Sequence, residues 1–225
     1  MGKFFADKGI KTVAMYGAFI PNPMHVYRVA GVLSGLGLSY DGSTDEAEVV
    51  GKIFADQGVD PSKVSGDIEM VAYLQGYGDT TTDEINAAIQ AAPDAFISVG
   101  MATTFFTQQL NAAGIEFSDI DSFTKSNGEA ITSGKLVYLA GKYSSSVGPA
   151  FALIMNAING NIVRDADGNA VSISQNYQVA TDEATFDEFY KTDNGDNPIY
   201  NKETLDKIIG DSVTCDDITK LVESK

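Results

Sequence analysis

The sequence predicts an α/β fold: a three-layer, doubly wound sheet whose strands are mostly parallel. Short apolar runs such as KTVAMYG (11–17) and DAFISVG (94–100) lack strict alternation, which suits strands covered on both faces. Amphipathic stretches separate those runs, the rhythm of strand–helix–strand crossovers. The bulk composition agrees. With 225 residues, 44% of them hydrophobic and 20% charged, the chain can bury a core in one or two compact units.

The elements follow in order. GKFFADK (2–8) reads as a helix stopped by Gly9, and KTVAMYG as the first strand, ending in glycine. After the loop AFIPNPM come helices over 24–36 and 45–57, the second followed by Gly58. IEMVAYLQGY (68–77) is a strand, and TTTDEINAAIQAA (80–92) is a helix with Thr and Asp available to cap it. The strand 94–100 leads into one helix over 102–113, then strands near 117–123 and 135–140 and a long helix from about 146 to 159. Beyond residue 160 the texture loosens. D-A-D-G-N (165–169) lacks the glutamate an EF-hand requires at its twelfth loop position, so it reads as a hairpin turn. NYQVA is one more short strand, and the acidic tail 181–225 carries helices at 182–191 and 202–209. GKFFADKGI (2–10) and GKIFADQGV (51–59) match at six of nine positions, but two units do not make a solenoid. They read as one local solution used twice.

Formal net charge is −16, a field that repels phosphate backbones and anionic lipid, so nucleic acid and membrane surfaces are poor partners for this segment. The longest apolar runs, such as VGPAFALIM (147–155), fall short of the roughly 18–20 residues of a membrane span. MGKFFADKGIK does not read as a secretory signal, which leaves a cytosolic protein or an export segment lying upstream. The lone cysteine, Cys215, excludes an internal disulfide and any multi-cysteine metal cluster.

Residues for catalysis are wanting. His25 is the single histidine, no G-x-S-x-G elbow surrounds a serine, and no Walker A motif is present. GVLSGLG (31–37) has the wrong spacing, and the wrong place within a helix, for a dinucleotide loop. No metal-ligand spacing occurs. The reading is therefore a binding protein rather than an enzyme, with no metal and no cofactor.

Open α/β sheets bind ligands at the carboxyl ends of their strands. The loops expected there hold Phe19, Asn22, His25, Tyr27 and Arg28; Gln75, Tyr77, Asp79 and Thr80; Met101, Thr103 and Thr104; and Ser122, Thr124, Lys125 and Asn127. Aromatic rings among neutral hydrogen-bonding groups, with one arginine, suit a small polar ligand such as a sugar.

The order of these elements resembles the C-terminal lobe of type I periplasmic, sugar-type solute-binding proteins, and of the related effector domains of lactose-repressor-like regulators, over roughly residues 2–190. HVYRVAGVLSGL is similar to the family's R-x-x-G helix, whose arginine reaches the ligand; here that is Arg28. DAFISVGMATTFFTQQLNAAGI resembles its strand, ligand turn and helix, with Gly100-Met101 where the family usually has Asn-Asp. ITSGKLVYLAGKYSSSVGPAFALIMNAINGN is similar to its last strand, hinge and helix, and Lys142 falls at the polar hinge position. Ser122 stands where a clamping Asp is common, with Asp121 beside it. Thr80 replaces an aromatic that Tyr77 could supply, and 38–65 reads as an insertion.

The resemblance implies that residues 1–142 form a C-terminal ligand-binding lobe. Residues 143–225 would form a hinge crossover, a segment packing on an N-terminal lobe upstream of Met1, and an acidic tail. Half a cleft would bind weakly in isolation. It further implies capture of a sugar-like solute outside the membrane and delivery to an ABC transporter permease, with membrane attachment only through an upstream lipid anchor. The alternative within the same fold is a regulator's effector domain. A lipobox cysteine upstream would mark the first, a helix-turn-helix the second. A doubly wound α/β enzyme is the third and most distant reading.

Overall fold

The computed structural model describes residues 1–20, 22–76 and 80–225, with the side chains of residues 80 and 81 outside that set. It divides into two compact units: Met1–Asp121 with Lys125–Ala140 and Val179–Glu183, and Ser122–Thr124 with Gly141–Gln178 and Ala184–Lys225.

The first unit is built on a mostly parallel six-stranded sheet flanked by helices. Helix α1 (Gly2–Asp7) leads to β1 (Thr12–Tyr16), whose last four residues are fully buried. Helix α2 (Pro23–Gly35) follows. Asn22 caps it through a side-chain bond from the Met24 amide, and Pro23 occupies the first turn, where its missing N–H costs nothing. Next come β2 (Ser39–Tyr40), α3 (Glu46–Asp56), a 3-10 turn and β3 (Val64–Ser65), with β2 and β3 paired antiparallel. The Tyr40 hydroxyl ties them together by donating to Asp56 at 2.6 Å, while Lys63 grips the same carboxylate at 2.8 Å. Burial, and then the Asp56 bond, push the Tyr40 phenol up to about 12.

The remaining strands are β4 (Glu69–Leu74), β5 (Ala95–Ser98), β6 (Glu116–Ile120), β7 (Leu136–Gly141) and β8 (Gln178–Ala180). The sheet order is β4-β1-β5-β6-β7-β8, and the β4–β1, β1–β5, β5–β6 and β6–β7 pairs are parallel. From β1 the chain travels out to β4, crosses back past β1 to β5, and then proceeds outward in sequence. The connections leaving β1 and β5 thus run in opposite directions, which makes that pair the topological switch point of the sheet. Ala95, Phe96, Ile97 and Ser98 are all buried, as strands at the centre of such a sheet must be.

Helix α4 (Thr80–Gln90) follows β4. The single helix expected over 102–113 is instead two, α5 (Ala102–Phe105) and α6 (Thr107–Ala113), broken at Phe106 with φ −126°. The Phe106 ring is held edge-on against Tyr16 and Phe96, with centroids at 5.0 and 5.8 Å, and the backbone yields to that packing. Lys125 and Asn127, expected in a loop, belong to α7 (Lys125–Thr132). Its composition is too polar to announce a helix, and burial of Asn127, Ala130 and Ile131 supplies what propensity lacks.

In the second unit, helix α8 (Gly148–Ile158) packs Ala152 against Val163, Ile208, Ile218 and Val222. Asn156, fully buried, donates to the Ile208 carbonyl at 2.9 Å and accepts from the Gly210 amide at 2.8 Å, so no polar atom of it is stranded. The D-A-D-G-N segment is a turn, as expected: the Asp165 carboxylate accepts from the amides of Asp167 and Asn169, and Arg164 bridges to Ala170. Helices α9 (Glu183–Asn194), α10 (Lys202–Leu205) and α11 (Cys215–Glu223) complete the chain. The sequence reading missed α11, which starts at a capping box between Thr214 and Asp217 and places Cys215 half-buried in its first turn.

Candidate functional site

The site grows from the switch point. As β1 ends, the chain passes Ala18, a buried residue in the left-handed region (φ 54°), before entering α2. His25 stands in the first turn of α2 and is 7% exposed. Its Nδ1 lies 2.9 Å from both the amide nitrogen and the carbonyl oxygen of Phe19, so that this edge of the ring is engaged by backbone in either tautomer, and Nε2 is on the other edge. Arg28 lies one turn further on the same helical face. Its Nη1 donates to the Val99 carbonyl at 2.8 Å, tying α2 to the end of β5.

Between them lies Gly100. A methyl group built on its Cα would sit 3.5 Å from Arg28 Nη1, 3.6 Å from the Ile120 carbonyl oxygen and 4.0 Å from His25 Nε2. Two side-chain nitrogens and a carbonyl oxygen thus surround the position a Cβ would take on the buried Gly100. Met101 follows in the left-handed conformation (φ 69°) and is 37% exposed at the turn into α5.

A buried carboxylate holds that turn in shape. Asp119, fully buried on β6, accepts from the Thr103 amide at 2.8 Å and the Thr103 hydroxyl at 2.9 Å on Oδ2. On Oδ1 it accepts from the Ser98 hydroxyl at 3.0 Å and the Ile120 amide at 2.8 Å. Ser98 Oγ in turn accepts from the Gly100 amide at 3.0 Å. Burial raises the Asp119 carboxyl above the usual carboxylate range; the Thr103 donors oppose that shift and the Asp121 charge adds to it. Thr103 Oγ1 also lies 3.3 Å from Asp121 Oδ2, linking the buried acid to the half-buried one at the strand end.

Of the residues singled out from the sequence, Phe19, Asn22, His25, Arg28, Met101, Thr103 and Asp121 all belong to the first unit, on the loops and helix starts that follow β1, β5 and β6. Phe19 is 46% exposed, and Asn22 spends its side-chain oxygen on the helix cap. Tyr77 and Asp79 lie outside the described residues, as does the Thr80 side chain. Ser122 and Lys142 belong to the second unit. There Lys142 holds its ammonium 5.4 Å from the Tyr177 ring centroid and lines a hollow of about 340 Å³ with Tyr143, Ser146, Asn176, Gln178 and Tyr200. Sequence reasoning missed Asp119, Ser98 and the part played by Gly100. The one signal for Asp119 was its spacing, an acid two residues before Asp121 and so on the same face of the expected strand.

Among the described residues, no group of three or more His, Cys, Asp or Glu could hold a metal ion, and no helix is long and apolar enough to cross a membrane. No protein-family model and no curated protein matches the chain. Among solved structures, the chain is similar to an ABC transporter solute-binding protein from Bradyrhizobium sp. BTAi1 with bound Bis-Tris, at 15% identity and a TM-score of 0.38. The similarity covers 83% of this chain and 50% of that one, so the chain spans about half the length of that protein.

Proposed function

We propose that this chain is the ligand-gripping part of a solute-binding protein, of the type I, sugar-binding kind, that serves an ABC transporter. It captures a small polar solute such as a sugar outside the membrane, hands it to the permease, and performs no chemistry on it. The observation that carries this reading is the convergence of Arg28 Nη1, His25 Nε2 and the Ile120 carbonyl around the Cα of Gly100, at the sheet's switch point. A set of one guanidinium nitrogen, one imidazole nitrogen and one carbonyl oxygen, with Phe19 and Met101 both part-exposed, suits hydroxyls that both give and accept hydrogen bonds.

The same hydrogen bonds favour binding over turnover. Asp119 spends both oxygens on four donors, and His25 Nδ1 is engaged by the Phe19 backbone. A carboxylate saturated in this way orients a turn; it is poorly placed to move a substrate proton. In the full receptor, an upstream lipid anchor would hold the protein at the cell surface.

The test is a thermal-shift screen of the 225-residue chain against sugars, nucleosides and amino acids, since a solute bound only by the folded state raises Tm by mass action. A sugar or polyol that raises Tm in a concentration-dependent way supports the reading. Stabilisation by nucleosides or amino acids alone removes the sugar assignment, and a flat screen at millimolar concentrations removes the crevice as a solute site.

A further inference from the structure

We propose that His25 is a polarity-switching contact of the crevice, meeting a solute as a hydrogen-bond donor or as an acceptor according to which ring nitrogen holds the proton. The role rests on the crevice being a solute site. Nδ1 of His25 lies 2.9 Å from the Phe19 amide nitrogen and 2.9 Å from the Phe19 carbonyl oxygen. With the ring proton on Nε2, Nδ1 accepts from the amide and Nε2–H is a donor. With the proton on Nδ1, that nitrogen donates to the carbonyl and the bare Nε2 is an acceptor. A histidine is ordinarily locked in one tautomer because its inner nitrogen meets only a donor or only an acceptor. Here either form keeps one backbone bond of equal length, so neither gains a hydrogen bond over the other. The ring stays neutral throughout: one nitrogen gives its proton to water as the other takes one up.

The neighbours give the switch its meaning. Nε2 lies 4.0 Å from the position of a Cβ on Gly100, and among the described residues it makes no hydrogen bond. Around the same position Arg28 Nη1 can only donate and the Ile120 carbonyl can only accept. His25 is thus the member of the set whose polarity follows the solute. A contact of fixed polarity rejects an analogue that leaves it unpaired. A switching contact instead takes a hydroxyl in either sense, an N–H group or an ether oxygen at that point. The chemistry it fits is a group of related sugars and amino sugars rather than a single one.

His25 is the single histidine, so in chain made with isotope-labelled histidine the long-range proton–nitrogen NMR spectrum reports this ring alone. At about pH 8, above the ordinary histidine range, both ring nitrogens should fall between the protonated and the bare positions, the mark of two exchanging tautomers. One nitrogen wholly protonated with the other bare, or both protonated, overturns the proposal. D-glucose, D-ribose and D-glucosamine are then added in turn, with Tm measured alongside. A sugar that binds should drive the two nitrogen signals in opposite directions as one tautomer is selected. Signals that move together, as protonation would move them, also overturn it. The two ways of failing are distinct. A single tautomer in a chain whose Tm the sugars raise removes the switch and leaves the solute site. A tautomer mixture that no sugar perturbs, with Tm unmoved, removes the solute site and the switch's role with it.

Discussion

Thr103 hangs from Asp119 by two bonds: its amide and its hydroxyl both end on Oδ2, at 2.8 and 2.9 Å. The pair fixes the turn that follows β5, and so fixes the position of Gly100. Thr103→Val keeps the shape and deletes one of the two donors, at an expected cost of about 1–2 kcal/mol in urea denaturation. Asp119→Ala takes the acceptor from the Thr103 and Ile120 amides and leaves the Ser98 and Thr103 hydroxyls only the Gly100 carbonyl and the Asp121 carboxylate, and should cost roughly 2–4 kcal/mol. Equal costs for the two variants would contradict this arrangement.

Asp119 also gives stability a pH dependence of a particular sign. Its carboxyl titrates above the ordinary range in the folded state because of burial. Between the unfolded and folded values the native state therefore holds the proton more tightly, and unfolding free energy falls as pH rises through that window. Asp94 is the reverse case: the Lys11 and Thr12 amides hold it below the usual range, so its contribution is lost as pH falls. Comparing wild type with Asp119→Asn, which cannot ionise, isolates the first effect. As pH is raised from about 4, wild type should lose stability relative to the variant; a relative gain would contradict the assignment.

At the exit of β1 a close approach makes a third prediction. A Cβ on Gly17 would lie 1.9 Å from the Tyr73 hydroxyl, so Gly17→Ala should destabilise by about 1–3 kcal/mol. That hydroxyl is buried without a hydrogen-bond partner among the described residues. Tyr73→Phe should therefore be neutral or stabilise by up to about 1 kcal/mol, and should offset part of the Gly17→Ala loss when the two are combined. Strict additivity in thermal melts would show that the two positions do not meet.

Much of this architecture is legible in the sequence, because strands buried on both faces must be written as unbroken apolar runs. KTVAMYG and DAFISVG announced β1 and β5, and the loops behind them held His25 and Arg28. What escaped was whatever tertiary packing decides. Helix α7 is too polar to show a pattern, α11 begins at a cap in an acidic stretch, and Phe106 breaks a periodic segment through ring contacts with Tyr16 and Phe96. Asp119 was overlooked because an acid in a strand reads as its solvent-facing side, whereas here donors from two strands and a helix start enclose it. Gly100 could not be valued from sequence, since its worth lies in three atoms contributed by other segments.

The most direct test of the crevice is calorimetric titration of a stabilising solute into wild type, Arg28→Ala and Gly100→Ala. The added methyl of Gly100→Ala fits at 3.5–4.0 Å from its neighbours, so that variant should fold normally while filling the space between them. Arg28→Ala removes a charge-assisted donor and should weaken binding by roughly 1.5–3 kcal/mol. The account predicts at least tenfold weaker binding in both variants with Gly100→Ala melting like wild type. Wild-type affinity in both would contradict it.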